Sequence, residues 1–181
     1  MTFQLDPFQI QAIEWIEKEN SLLVSAPTGS GKTVIAEKAI EKAIGRGERV
    51  IYTAPIKALS NQKFRDFQER FGKEAVGILT GDVSINPDAP LLIMTTEIYR
   101  NSLFENEDRI RKIAWVVFDE VHYLDNTERG TVWEEALLFT PPEVRILALS
   151  ATIPNVEELA AWIRQIHQRP IAVIEESHRP V

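Results

Sequence analysis

Between Ser25 and Thr33 the chain reads Ser-Ala-Pro-Thr-Gly-Ser-Gly-Lys-Thr, a run whose residue types suit the grip of a polyphosphate. Gly29 and Gly31 let the backbone curl so that its N–H groups face inward, with Pro27, Thr28 and Ser30 completing the loop. Lys32 supplies positive charge for the β and γ phosphates, and Thr33 can offer its hydroxyl to Mg2+. The loop lies between an apolar run, Leu22–Ser25, and an amphipathic stretch beginning at Lys32, which is the strand–loop–helix context such a grip requires. The strict form of this pattern opens with Gly where Ala26 stands here, a departure that the Gly-Lys-Thr ending and the flanking elements outweigh.

A second group follows the apolar run Trp115–Phe118: Asp119-Glu120-Val121-His122. Carboxylates at the end of such a strand reach the carboxyl edge of a sheet, where ligands of open α/β folds bind. Beside a phosphate loop, Asp119 could hold Mg2+ directly or through water, and Glu120 could position and polarise an attacking water. His122 could couple this site to the rest of the fold or serve as a structural histidine. Ser150-Ala151-Thr152 closes a further apolar run, although hydroxyl residues there are equally well explained as caps or turn residues.

These residues need a sheet to place them. Val- and Ile-rich runs alternate with helical patterns, the signature of a mainly parallel sheet of about seven strands with helices on both faces. The strands are read near Leu22–Ser25, Val50–Thr53, Val76–Leu79, Leu91–Thr95, Trp115–Asp119, Ile146–Ser150 and Ile171–Ile174. Asp6-Pro7 opens a first helix, and Lys32–Ile44 forms a second, with Gly45 as its natural terminator. A third is expected from about Ala58 to Phe71, and another from about Val156 to Gln168 with Asn155 as cap. Asn86–Pro90 and Thr140-Pro141-Pro142 read as turns entering strands.

With 181 residues, 44% hydrophobic and 26% charged, the chain is expected to form one domain spanning 1–181, with no membrane span. No secretory signal is read at Met1–Pro7, and the absence of cysteine is compatible with a reducing cytosol. A net charge of −7 argues against coating nucleic acid through bulk charge, so any such contact must be local.

In their order and spacing, Ala26–Thr33, Asp119–His122 and Ser150–Thr152 resemble motifs I, II and III of superfamily 2 helicases. The likeness extends to Leu5–Gln9, Ala54–Lys63, Thr80–Pro87, Met94–Ile98, Arg129-Gly130 with Trp133–Glu135, and Leu149–Asn155, which are similar to the superkiller-type, exosome-associated RNA helicases. The resemblance covers nearly the whole chain and implies a DEVH-box, RecA-like first lobe using ATP and Mg2+.

It further implies that Phe8 stacks on adenine and Gln9 reads the base edge, while Phe8 also suits a first core residue of its helix. Pro55, Lys57, Asn61 and Gln62 match one strand-binding segment, and Thr80, Gly81, Asp82, Thr95 and Thr96 match neighbouring ones. Short hydroxyls, backbone N–H groups and one or two lysines can hold a phosphate backbone without reading sequence. The resemblance likewise implies a coupling role for Ser150, Thr152 and His122.

The implied partners are single-stranded RNA, a second RecA-like lobe supplying an arginine finger, and an exosome-like nuclease; from the N-terminus and the lack of cysteine the expected location is cytoplasmic, with the nucleus as the alternative. That finger is worth about 10³ to 10⁵ in rate, so the chain by itself is expected to hydrolyse ATP poorly and not to unwind duplex. A DNA-directed motor, a nucleotide-dependent binding module without turnover, and a P-loop ATPase unrelated to nucleic acid are the competing readings.

Overall fold

The computed structural model describes residues 4–105, 108–110, 112–121 and 127–178. In chain order the elements are α1 (Pro7–Glu17), β1 (Ser21–Ser25), α2 (Lys32–Gly45), β2 (Arg49–Ala54), α3 (Lys57–Phe71), β3 (Val76–Leu79), β4 (Ser84–Ile85), β5 (Leu91–Thr95), α4 (Thr96–Phe104), β6 (Ile113–Phe118), α5 (Thr127–Phe139), β7 (Arg145–Ser150), α6 (Val156–His167) and β8 (Ile171–Glu175). They form one sheet of order β4-β3-β5-β2-β6-β7-β1-β8. Every pairing is parallel except β3 with β4.

Fully apolar strands such as β6, Ile-Ala-Trp-Val-Val-Phe, are buried along their whole length because helices cover both faces. Alternate residues then feed two cores. Leu22, Val24, Tyr52 and Val117 pack with α1, α2 and Phe67 of α3 on one side, while Leu23, Ile51, Val116 and Phe118 pack with Tyr99, Trp133 and Ile163 on the other. The connection from β1 through α2 places the loop 26–31 at the carboxyl ends of the strands, beside β7 and the end of β6.

All seven strands expected from the sequence are present, with β6 beginning earlier, at Ile113. The eighth, β4, is a two-residue antiparallel edge inside the segment Thr80–Pro87. Two expectations about helix ends are corrected. Gly45 lies within α2, and Gly47, at φ 73°, takes the left-handed position that terminates it. The Glu48 N–H then reaches the Ala43 carbonyl at 2.9 Å and the Gly47 N–H the Ile44 carbonyl at 3.0 Å. Asn155 does precede α6, but its side chain makes no capping hydrogen bond, since φ −118° and ψ 41° turn it from the extended geometry a cap uses.

Candidate active site

The loop after β1 is closed by its own backbone. The Ser30 N–H donates to the Pro27 carbonyl at 3.1 Å, and the Ala26 N–H donates to the Ser150 carbonyl at 3.0 Å, tying the loop to β7. Gly29 and Gly31 sit at φ 82° and 89°, so both use conformations that side-chain-bearing residues rarely adopt. A Cβ at Gly31 would stand 2.5 Å from the Gln9 Nε2 atom, because the Gln9 amide closes over the loop. Its Nε2 donates to the Gly31 carbonyl at 3.0 Å while its Oε1 accepts from the Asp6 N–H at 2.7 Å.

Lys32 donates to the Ala26 and Pro27 carbonyls at 2.7 and 3.1 Å. Burial lowers its pKa from the ordinary lysine value, against the opposing pull of Glu120 and Asp119. Ser30 is 5% exposed and its hydroxyl has no hydrogen-bond partner among the described residues. A buried donor left unpaired, two left-handed glycines and a lysine that can exchange carbonyls for anionic oxygen together fit a nucleotide phosphate chain.

Asp119 leaves β6 at the same edge. Its N–H donates to the Thr53 carbonyl at 3.0 Å, its Oδ1 accepts from the Glu120 N–H at 2.9 Å, and its Oδ2 accepts from the Tyr52 hydroxyl. Burial and the neighbouring Asp119 carboxylate push the Tyr52 phenol well above its ordinary pKa, so it remains a donor. Glu120 adopts a left-handed φ of 58°, a conformation that costs about 1–3 kcal/mol and is held here by the surrounding structure. Across the loop, the Thr33 hydroxyl accepts from Lys63 at 3.0 Å.

Among the described residues no three His, Cys, Asp or Glu side chains cluster to hold a metal. A metal at Thr33 and Asp119 would therefore draw its remaining ligands from phosphate and water, as Mg2+ commonly does.

Beside these carboxylates opens a cleft of about 730 Å³ lined by Pro55, Lys57, Gly81, Thr95, Thr96, Arg100, Asp119 and Glu120, among others. Most of the segments matched to strand binding meet there. Asn61 and Gln62 are exposed on α3 outside the cleft lining. Lys57 is ion-paired with Asp82, so two candidate contacts occupy one another. Thr80 is 7% exposed, and its hydroxyl accepts from the Asp82 and Val83 N–H groups in a local turn. The Thr95 hydroxyl caps α4 by accepting from the Ile98 N–H at 3.4 Å.

Phe8 is 5% exposed within the core, which leaves its ring almost no surface on which to stack a base. The core role is thus the one its position supports. Gln9, 2% exposed, is engaged at both ends of its amide rather than presented outward. Ser150 turns its hydroxyl to the Ala151 carbonyl at 2.8 Å, while Thr152 is exposed. His122 lies outside the described residues. Sequence reasoning did not single out Tyr52 or Arg100, and it carried Lys63 only as the end of the matched segment Ala54–Lys63, without a role. Only Tyr52 carried a signal, since a tyrosine in a fully buried strand needs a partner for its hydroxyl.

A parallel sheet with a phosphate loop after β1 and an acidic pair after a central strand defines a RecA-like nucleotide-binding lobe. Residues 6–159 match the DEAD/DEAH box helicase family, and the chain belongs to it.

The chain is 51% identical over 98% of its length to the ATP-dependent RNA helicase mtr4 of Schizosaccharomyces pombe, of which it covers 16%. It is 54% identical over 99% of its length to Superkiller complex protein 2 of Homo sapiens, covering 14% of that protein. It is 51% identical over 98% of its length to Exosome RNA helicase MTR4 of Homo sapiens, covering 17%. The chain thus spans less than a fifth of these relatives. The crystal structure of the DUF1998 helicase MrfA bound to DNA superposes with TM-score 0.76 over 95% of this chain and 27% of that one; at 19% identity it shows the fold alone.

Proposed function

We propose that the chain is the ATP-binding motor lobe of an ATP-dependent RNA helicase, working with a second lobe to move along or separate RNA strands. The observation that carries this is the convergence of Lys32, Thr33, Asp119 and Glu120 on one sheet edge that also borders a cleft lined by Pro55, Lys57, Thr95 and Thr96. Nucleotide chemistry and strand contact would share Asp119 and Glu120. Relatives named as RNA helicases, at about half identity, support RNA as the strand.

In this reading Lys32 releases the Ala26 and Pro27 carbonyls to bind phosphate oxygens, and the loop N–H groups hold the rest of the chain of phosphates. Thr33 and Asp119 would hold Mg2+, which when bound offsets charge on the β and γ phosphates. Glu120 orients the attacking water and accepts its proton.

The arginine finger would come from the second lobe. An exosome-like nuclease is the proposed protein partner, in keeping with the words Superkiller complex and Exosome in the names of two relatives, and a cytoplasmic or nuclear location is proposed with it. No helix among the described residues is long and apolar enough to cross a membrane.

The test is ATP binding and turnover by this chain with and without single-stranded RNA or DNA, beside Lys32→Ala. Lys32-dependent binding, slow turnover and a preference for RNA are expected. Nucleotide binding that ignores the Lys32→Ala change would overturn the assignment of the loop, and strand binding that favours DNA would overturn the RNA reading.

A further inference from the structure

We propose that Tyr52 is a positioning residue for Asp119, fixing the carboxylate in the orientation that a metal-bound nucleotide requires. The inference rests on the nucleotide-site reading above and extends it to a side chain with no phosphate contact of its own.

The register of the sheet makes the contact. Tyr52 of β2 stands opposite Val117 of β6, and Thr53 opposite Phe118, so the next β6-side residue, Asp119, falls just past the Tyr52 ring at the carboxyl edge. The Asp119 N–H continues the ladder to the Thr53 carbonyl at 3.0 Å, which fixes its backbone. Its side chain is fixed separately: Oδ2 accepts from Tyr52, and Oδ1 accepts from the Glu120 N–H. An ionised carboxylate offers about four lone-pair sites, and these two bonds leave the others for water or a metal. Rotation of the carboxylate would break both at once.

The Tyr52 ring is itself immobilised. It is wholly buried and meets Phe67 of α3 edge-on, with ring centroids 5.1 Å apart and planes at 72°. Phenylalanine would fill the same space and keep that contact, so packing does not explain the hydroxyl. A buried hydroxyl is costly unless paired, and this one is paired to a carboxylate of the acidic pair. The same bond bears on Glu120, whose left-handed backbone is anchored through Oδ1 of the carboxylate that Tyr52 holds.

The experiment is calorimetric titration of the whole chain with ADP, in excess Mg2+ and in EDTA, for wild type, Tyr52→Phe, Asp119→Asn and the double variant. Partners that orient a metal ligand typically contribute 10- to 100-fold in metal affinity. Tyr52→Phe is therefore expected to weaken ADP binding by about 10-fold in Mg2+ while leaving binding in EDTA unchanged. In the Asp119→Asn background it should have no further effect.

Equal weakening in Mg2+ and EDTA would show a packing role and overturn the proposal. So would an unaltered Tyr52→Phe, or an additive loss in the double variant. Wild-type binding that is indifferent to Mg2+ would remove the metal from Asp119 and overturn the inference alone, whereas a wild type that binds no ADP in either condition would refute the nucleotide-site reading itself.

Discussion

Replacing Gly31 with alanine perturbs the phosphate loop in two separable ways, and Gly29 provides the control for one of them. Both glycines have positive φ, 82° and 89°, so an alanine at either site incurs the left-handed cost of about 1–2 kcal/mol. At Gly29 nothing lies within 4 Å of the new methyl group; at Gly31 it meets Gln9 Nε2 at 2.5 Å. Since the amide is the end of a flexible side chain, it should swing away rather than force the backbone apart. That movement forfeits its bonds to the Asp6 N–H and the Gly31 carbonyl, each worth about 0.5–1.5 kcal/mol.

Gly31→Ala should thus be less stable than Gly29→Ala by about 1–3 kcal/mol. For a domain of this size that is a further fall in Tm of about 2–4 °C per kcal/mol. Thermal unfolding followed by circular dichroism measures both, and repeating the pair in a Gln9→Ala background isolates the coupling. The gap between the two glycine variants should close there. Equal destabilisation in the wild-type background, or a gap that persists without Gln9, would refute the claim that Gln9 clamps the loop.

The Lys57–Asp82 ion pair must open before Lys57 can meet a phosphate. Because exposed pairs are worth about 0.2–1 kcal/mol, Asp82→Asn should tighten single-stranded RNA binding by up to about fivefold; unchanged or weaker binding by fluorescence anisotropy would refute it. His167 is 4% exposed, with Nε2 2.9 Å from the Val144 carbonyl and Nδ1 unpartnered among the described residues. Burial lowers its pKa, so the unfolded chain takes up the proton first. Its contribution to stability is present above about pH 6.5 and lost as pH falls toward the depressed folded value. Urea unfolding between pH 7.5 and 5.5 should show a smaller acid-side loss in His167→Gln than in wild type, and parallel losses would count against it.

What could be read from the sequence was what repeats locally. The apolar strands, the Gly-Ser-Gly-Lys-Thr turn and the Asp-Glu pair each declare themselves within ten residues, and the parallel sheet follows from their alternation with helices. Two helices lie outside the sequence expectations: α5 (Thr127–Phe139) and α4, whose start, Thr95-Thr96-Glu97, resembles a strand-binding segment as readily as a cap followed by an acidic first turn. The two-residue β4 is too short to show a period.

The remaining failures are long-range. Asp6 and Gln9 have the three-residue spacing of a capping pair, and the structure shows that capping bond. Nothing local reveals that the other end of the Gln9 amide closes on Gly31, 22 residues away. The same limit hides Tyr52 from Asp119 and Lys63 from Thr33, contacts across 67 and 30 residues. Each joins a residue of recognisable chemistry to one whose type alone reads as packing or solvation. The phosphate loop and acidic pair were therefore legible as parts, whereas the bonds that orient them depend on strand register and helix placement, which only the folded chain fixes.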